Sequence, residues 1–209
     1  MNAMPSKAAS APRGEKGENT RSLVLGHALA LASEVGLEGV TIGTLAERAS
    51  MSKSGLFAHF HSKESLQIAI LDEAIARFVD QVVLPALKSP RGEPRVRALL
   101  KRWQLWSRAE FMPGGCVFVA SIAEFDDKEG PVRDRLAACQ RDWLDTLATA
   151  IRIGVDEGHF AKETDSNQIA HEILTLAYGT HLLARLLRDP SAEKRLGRAV
   201  ERIFQTIRA

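Results

Sequence analysis

The sequence predicts an all-α protein of about nine helices, with a small N-terminal unit and a larger C-terminal one. Three observations carry this. Apolar residues recur at three- and four-residue spacings through most of the chain, and no segment alternates with the period of two that marks a half-buried strand. Most prolines and glycines fall between the periodic segments. No internal repeat is present.

Residues 1–19 are rich in Ala, Ser, Gly, Lys and Pro with almost nothing to bury, and read as a disordered arm. Thr20 is placed to cap a first helix with the stripe Leu25, Ala28, Ala32 and Val35, stopped at Gly36. Thr41 caps a short second helix turning Ile42, Leu45 and Ala46 inward, and residues 49–51 interrupt it. Ser52 caps a third short helix through His59. Ser62 caps a long fourth one that buries Leu66, Ile70, Ala74, Phe78 and Val82 until Pro85 kinks or ends it. Pro90 and Pro94 bracket a linker. A fifth helix over 94–110 holds Leu99, Trp103 and Trp106, and Pro113–Gly114–Gly115 separates it from an apolar helix over 115–127. Pro131 suits the first turn of a long seventh helix with the stripe Val132, Leu136, Cys139, Trp143, Leu147 and Ile151, ended by Gly158. Asp165 with Gln168 has the spacing of a capping box for the eighth helix, and Asp189–Pro190 separates it from the ninth. Ile169, Ile173, Leu176, Thr180, Leu183 and Leu187 form one helical seam, and Leu196, Val200, Ile203 and Ile207 another. Both are expected to build a homodimer interface.

The composition excludes several classes. The chain has 209 residues, 45% hydrophobic and 26% charged, with a formal net charge of +2. No apolar run approaches the roughly 20 residues that cross a bilayer, and the N-terminus shows no apolar core of a signal peptide, so no membrane role and a cytoplasmic location are expected. Cys116 and Cys139 are too few for a disulfide framework and lack metal-pair spacing. Seven Lys/Arg against six Glu in residues 1–66 leave that region nearly neutral, so any affinity for nucleic acid requires cations gathered on one face.

The stretch 41–63, TIGTLAERASMSKSGLFAHFHSK, is where chemistry concentrates. Two short helices joined by a three- or four-residue turn form a helix-turn-helix, whose second helix enters the DNA major groove. Ser52, Lys53, Ser54 and Gly55 give that helix a small, polar N-terminus able to approach DNA closely. Thr41, Lys53, His59 and Lys63 offer hydroxyls and cations to phosphates and base edges, while Leu56 and Phe60 lock the helix inward. A metal site is not read here: positions two apart on a helix diverge by about 200°, so His59 and His61 do not chelate one ion, and no third ligand is near. A serine/histidine nucleophile lacks an orienting acid, since Glu47 and Glu64 read as solvated. No cofactor is implied.

Residues 37–66, LEGVTIGTLAERASMSKSGLFAHFHSKESL, resemble the N-terminal domain of the tetracycline-repressor (TetR) family of bacterial transcription regulators. The features that carry it are Thr41, Leu45–Ala46, Ser52, Gly55–Leu56–Phe57–Ala58–His59–Phe60 and Lys63–Glu64. Two positions depart from the family pattern: Ser50–Met51 replace the usual Gly-Val of the turn, and Phe57 replaces a tyrosine whose hydroxyl bonds phosphate. The resemblance implies residues 20–66 as a DNA-binding domain and 67–209 as a ligand-binding and dimerisation domain. Its partners would be a double-stranded, near-palindromic operator, a small-molecule effector and a second copy bound through the last two helices. Lys63 would anchor a phosphate, and the fourth helix would carry the effector's signal.

The larger unit concentrates aromatic residues. Phe78, Trp103, Trp106, Phe125, Trp143, Tyr178 and His181, with Cys116, are the candidate lining of an apolar pocket with a few polar tips, accompanied by Phe111 and Phe118. A mostly apolar or aromatic ligand is expected. Residues 113–127 resemble a Gly-Cys stretch in one group of TetR-family C-terminal domains, and Cys116, with no nearby cation to activate it, reads as a buried small hydrophobe. Two other functions compete with a ligand-released repressor: a DNA-binding regulator or activator without an effector, and an enzyme using a Cys116–His181 pair in the cavity.

Overall fold

The computed structural model describes residues 13–209, with side chains from Thr20 onward. Residues 1–12 of the expected arm lie outside the described residues. Residues 13–19 are instead the first turns of α1 (Arg13–Gly39), so Thr20 sits within a helix and does not begin one. Glu15, Lys16 and Glu18 are sound helix formers, and they extend the helix upstream of its first buried side chain, Val24. Leu25, Ala28, Leu29 and Ala32 follow on the buried face. Val35, expected on that stripe, is 49% exposed because Gly36 (φ 77) leaves the helical conformation there, and Leu37 and Val40 enter the core in its place.

Two short helices follow, α2 (Ile42–Arg48) and α3 (Lys53–Phe60), then α4 (Lys63–Phe78). Thr41, Ser52 and Ser62 cap them, each side-chain oxygen accepting the N–H three residues on, from Thr44, Gly55 and Ser65. Leu45, Ala46, Leu56, Phe60 and Leu66 close the small core that these helices share with α1.

Pro85 neither kinks nor ends the fourth helix. The chain widens into a π turn over Val79–Val83 and then continues as α5 (Leu84–Leu87), with Pro85 in its first turn. Proline cannot donate to the helix and its ring collides with the carbonyl one turn back. A π turn, with its longer hydrogen-bond loop, removes that conflict without breaking the rod.

Next come α6 (Glu93–Trp106), α7 (Val117–Phe125), α8 (Pro131–Asp156), α9 (Ser166–Leu187) and α10 (Ala192–Ile207). With α4, the π turn and α5 taken as one rod, the described residues hold nine helices and no strand, as the periodicity predicts. α6 ends at Trp106, a turn earlier than expected. Asp165 accepts from the N–H groups of Asn167 and Gln168, but only half of the expected box forms, because the Gln168 amide donates to Glu172 at 2.9 Å. His159 Nδ1 accepts from the Glu93 N–H at 3.2 Å, satisfying the start of α6. Glu93 and Glu201 bind Arg97 and Arg208, tying α6 to α10.

The two C-terminal seams part company. Leu196, Val200, Phe204 and Ile207 of α10 are buried in the chain's own core, with Ile203 partly so. Of the expected α9 seam only Ile169 and Ile173 are buried. Leu176, Leu183 and Leu187 are exposed together with Leu182 and Leu186. The reading of the α10 stripe as an interface seam is therefore corrected, since α10 spends it on the chain's own fold, while α9 presents a row of exposed leucines. Periodicity locates a stripe without saying which neighbour covers it.

Candidate nucleic-acid interface and effector cavity

Thr41 and Ser52 place the N-termini of α2 and α3 side by side. A β-carbon at Gly43 would lie 3.6 Å from Thr41 Oγ1 and 3.8 Å from Lys53 Nζ, so the Lys53 ammonium reaches across from α3 to the start of α2. Free N–H groups of a helix start and an ammonium together suit a phosphate oxygen. Ser52, Lys53, Ser54 and Phe57 are exposed, Phe57 by 55%, while Leu56 and Phe60 are buried. Ser54 Oγ lies 3.2 Å from Ser52 Oγ, and Gly55 leaves room for that cap. His59 is half-buried, tilted against Phe60 at 6.2 Å. Ser50 adopts φ 53, the left-handed conformation that a glycine would take without strain, so the turn keeps its course despite the substitution. Lys63 is exposed but engaged: its ammonium donates to Glu38 Oε2 at 3.0 Å, which holds the Glu38 carboxyl below the usual carboxylate range. Contact with a phosphate requires it to exchange that partner. Among the described residues no group of His, Cys, Asp and Glu is arranged to hold a metal ion.

In the larger unit a cavity of about 140 Å³ opens between α4, the π turn, α6, α7, α8 and α9. Of the expected lining, Phe78, Trp103, Trp143 and Tyr178 border it. Phe78 meets Trp143 at 4.9 Å and Phe118 at 5.9 Å in T-shaped contacts, and Trp103 leans on Tyr178 at 5.7 Å. Trp106, Cys116, Phe125 and His181 do not border it. Trp106 stacks behind Phe118 at 6.0 Å, Cys116 and Phe125 are buried in the core, and His181 faces an outer depression beside Arg185. Cys139, Gln140, Asp142 and Thr146 also border it and escape the sequence reading. Cys139, Gln140 and Thr146 stand three or four residues from Trp143 on α8, and Asp142 three from Cys139 and four from Thr146; that spacing is the signal the chain offers.

Apart from the Asp142 carboxylate, the polar groups in and beside the cavity are neutral or paired. Tyr178 donates to Gln140 Oε1 at 2.6 Å, and burial raises its phenol well above the usual value. Burial pushes the Cys139 thiol up to about 12. Burial, then the neighbouring Arg185, lowers His181 to about 4. The pair Cys116 and His181 does meet, but His181 Nε2 accepts the Cys116 backbone N–H at 3.3 Å, and burial holds the thiol protonated. That ring nitrogen is not free to act as a base toward sulfur.

α1 packs along α4, and two further contacts with the larger unit lie near its end. Gly114 N–H donates to Ser33 Oγ at 3.0 Å, and a β-carbon there would stand 1.6 Å from the Ser33 carbonyl oxygen. Glu124, in the last turn of α7, accepts the Leu37 N–H at 2.8 Å and the Glu38 N–H at 3.4 Å, just past the Gly36 kink. The kink frees two N–H groups that a carboxylate satisfies.

With this geometry in view, comparison decides the family. The bacterial regulatory proteins of the tetR family match residues 24–70, and the tetracyclin repressor-like C-terminal domain matches residues 92–200, over half of the chain. This chain belongs to the tetracycline-repressor family. A curated relative, the HTH-type transcriptional repressor AcnR of Corynebacterium glutamicum, is 36% identical over 69 residues, 33% of this chain and 37% of its own. The chain thus spans little over a third of the curated relatives it matches. A TetR transcriptional regulator from Chloroflexus aurantiacus superimposes with a TM-score of 0.84 at 26% identity, covering 93% of this chain and 98% of that one. AibR, solved with isovaleryl coenzyme A and operator DNA, gives 0.67 at 22% identity over 87% and 96%. For this TetR-family chain, the matched segment 24–70 contains the whole α2–turn–α3 surface, and 92–200 contains most of the cavity wall.

Proposed function

We propose that this chain is a transcriptional repressor that binds a near-palindromic operator as a homodimer and leaves it when a small molecule fills the C-terminal cavity. The observation that carries the reading is the exposed edge built by Thr41, Ser52, Lys53, Ser54, Gly55 and Phe57, with the Lys53 ammonium set at two adjoining helix starts. Lys53 and the serines face base edges and phosphates, Phe57 packs on the sugar–phosphate backbone, and His59 and Lys63 flank the helix. The exposed leucines of α9 support dimerisation, because two copies joined there bury a face that a monomer leaves in water. AibR, a relative of the same fold solved with both a ligand and its operator, supports the pairing of the two sites. Phe118 on α7 borders the cavity and Glu124 at the end of α7 holds α1, so a ligand that shifts α7 acts on the DNA-binding unit directly.

Fluorescence anisotropy against DNA fragments flanking its own gene, at two salt concentrations, tests this. Tight, salt-sensitive binding to one near-palindromic fragment is the expected result. Lys53→Ala then loses about tenfold in specific affinity, whereas Lys63→Ala weakens all sequences and lowers the salt slope by about one. Equal, weak binding to every fragment by the unaltered protein overturns the reading.

A further inference from the structure

We infer that the molecule received by the cavity is a small organic cation, held by aromatic faces and drawn in by Asp142. This rests on the cavity being the effector site. The charge of the lining is the first argument. One carboxylate, Asp142, borders the cavity, and no Lys or Arg does. The thiol and phenol on the wall are neutral at physiological pH, so the site offers a single fixed charge and it is negative. An anion would find no partner there. Arg108, Arg185 and Arg188 line a separate depression that shares Trp103 with the cavity, and Arg135, whose charge reaches Cys139, is paired with Asp72 at 2.6 Å.

The rings supply the second argument. Phe78, Trp103, Phe118, Trp143 and Tyr178 come from five different helices, so they surround the space instead of stacking in one column. The π cloud of an aromatic ring carries negative charge density, and an aromatic wall of this kind favours an ammonium over its neutral isostere.

The third argument is the mouth. The cavity shares Val83, Asp142 and Thr146 with an outer groove, and that groove adds Asp145, one helical turn from Asp142. Its one arginine, Arg95, directs Nε and Nη2 to the Ser89 carbonyl at 3.3 and 3.1 Å. Two carboxylates at the rim of an apolar hole concentrate cations at its opening.

The test uses isosteric pairs that differ only in charge: phenyltrimethylammonium against tert-butylbenzene, and acetylcholine against 3,3-dimethylbutyl acetate. Binding to the full chain is read by tryptophan fluorescence and by thermal shift. In each pair the cation should bind at least about tenfold more tightly. The gap should close in Asp142→Lys, an exposed position where circular dichroism verifies the fold. Neutral members that bind as well as the cations, or no binding by either at millimolar concentration, overturn the inference. Operator anisotropy on the same samples separates the two readings. A cation preference without operator affinity removes the repressor and keeps the cation site, while operator affinity with no cation preference does the reverse.

Discussion

Every helix start between Thr41 and Ser65 is capped by a side chain, whereas in the larger unit only α9 is capped from within its own first turn. The difference follows length. α2 has seven residues and α3 eight, too short to sustain themselves once the cost of nucleation is counted. Thr41 and Ser52 therefore hold the ends that propagation cannot. α8 runs for 26 residues and α9 for 22, and their stability comes from burial of one face against neighbours. The smaller unit is thus a polar framework around a small core, and the larger unit is an aromatic core with plain ends.

The sharpest way to break the comparison is at the seam between the units. Gly114→Ala puts a methyl group into the Ser33 backbone, which cannot yield as a side chain tip can. A loss of about 3 kcal/mol is expected in urea denaturation, with α1 lifting from the larger unit. An unchanged midpoint would mean that the units are not docked through this contact.

A smaller effect distinguishes the units by pH. Folding lowers His181 to about 4, so between about 4 and 6.5 the unfolded chain binds a proton that the folded chain refuses. Stability therefore rises with pH across that window and is complete above it. After allowance for its partial exposure, the loss on acidification amounts to about 1–2 kcal/mol. His181→Gln should flatten the slope between those limits. The carboxyls Glu34, Glu38 and Glu93 are held down chiefly by hydrogen bonds from Arg48, Lys63 and Arg208, so their contribution is lost only as pH falls below the ordinary carboxylate range.

The smallest effect has the opposite sign. Ser50→Gly relieves a left-handed backbone in the turn and should stabilise the smaller unit by about 1 kcal/mol. A drop in melting temperature would show that the serine hydroxyl serves the turn in a way its backbone does not reveal.

The same contrast explains what is legible in the chain. Caps and turn residues have a grammar of their own, so Thr41, Ser52, Ser62 and the outward set Lys53, Ser54 and Phe57 are readable from residue type and spacing alone. The stripe of α8 is readable by period, and Trp143 with it. What period does not encode is the identity of the neighbour. Leucine at 183 and leucine at 196 look alike in the chain, yet one faces water and the other the core. Trp103 and Trp106 share a helix face, yet Phe118 stacks on one and leaves the other to the cavity. Glu124 stands at a helix end among other acids, and only the Gly36 kink 88 positions earlier gives it a role.

The π turn at Val79–Val83 has a consequence of phase. It fits one residue more into the rod than an α-helix of the same length would. Each residue turns a helix by about 100°, so the segment from Lys63 to Phe78 is rotated by that much about its axis relative to Pro85. Removing Asp80, an exposed residue of the turn, would restore the α-helical phase, return Pro85 to its conflict with the carbonyl one turn back, and aim the smaller unit in another direction. The bearing of one half of the molecule on the other is carried by a single surplus residue.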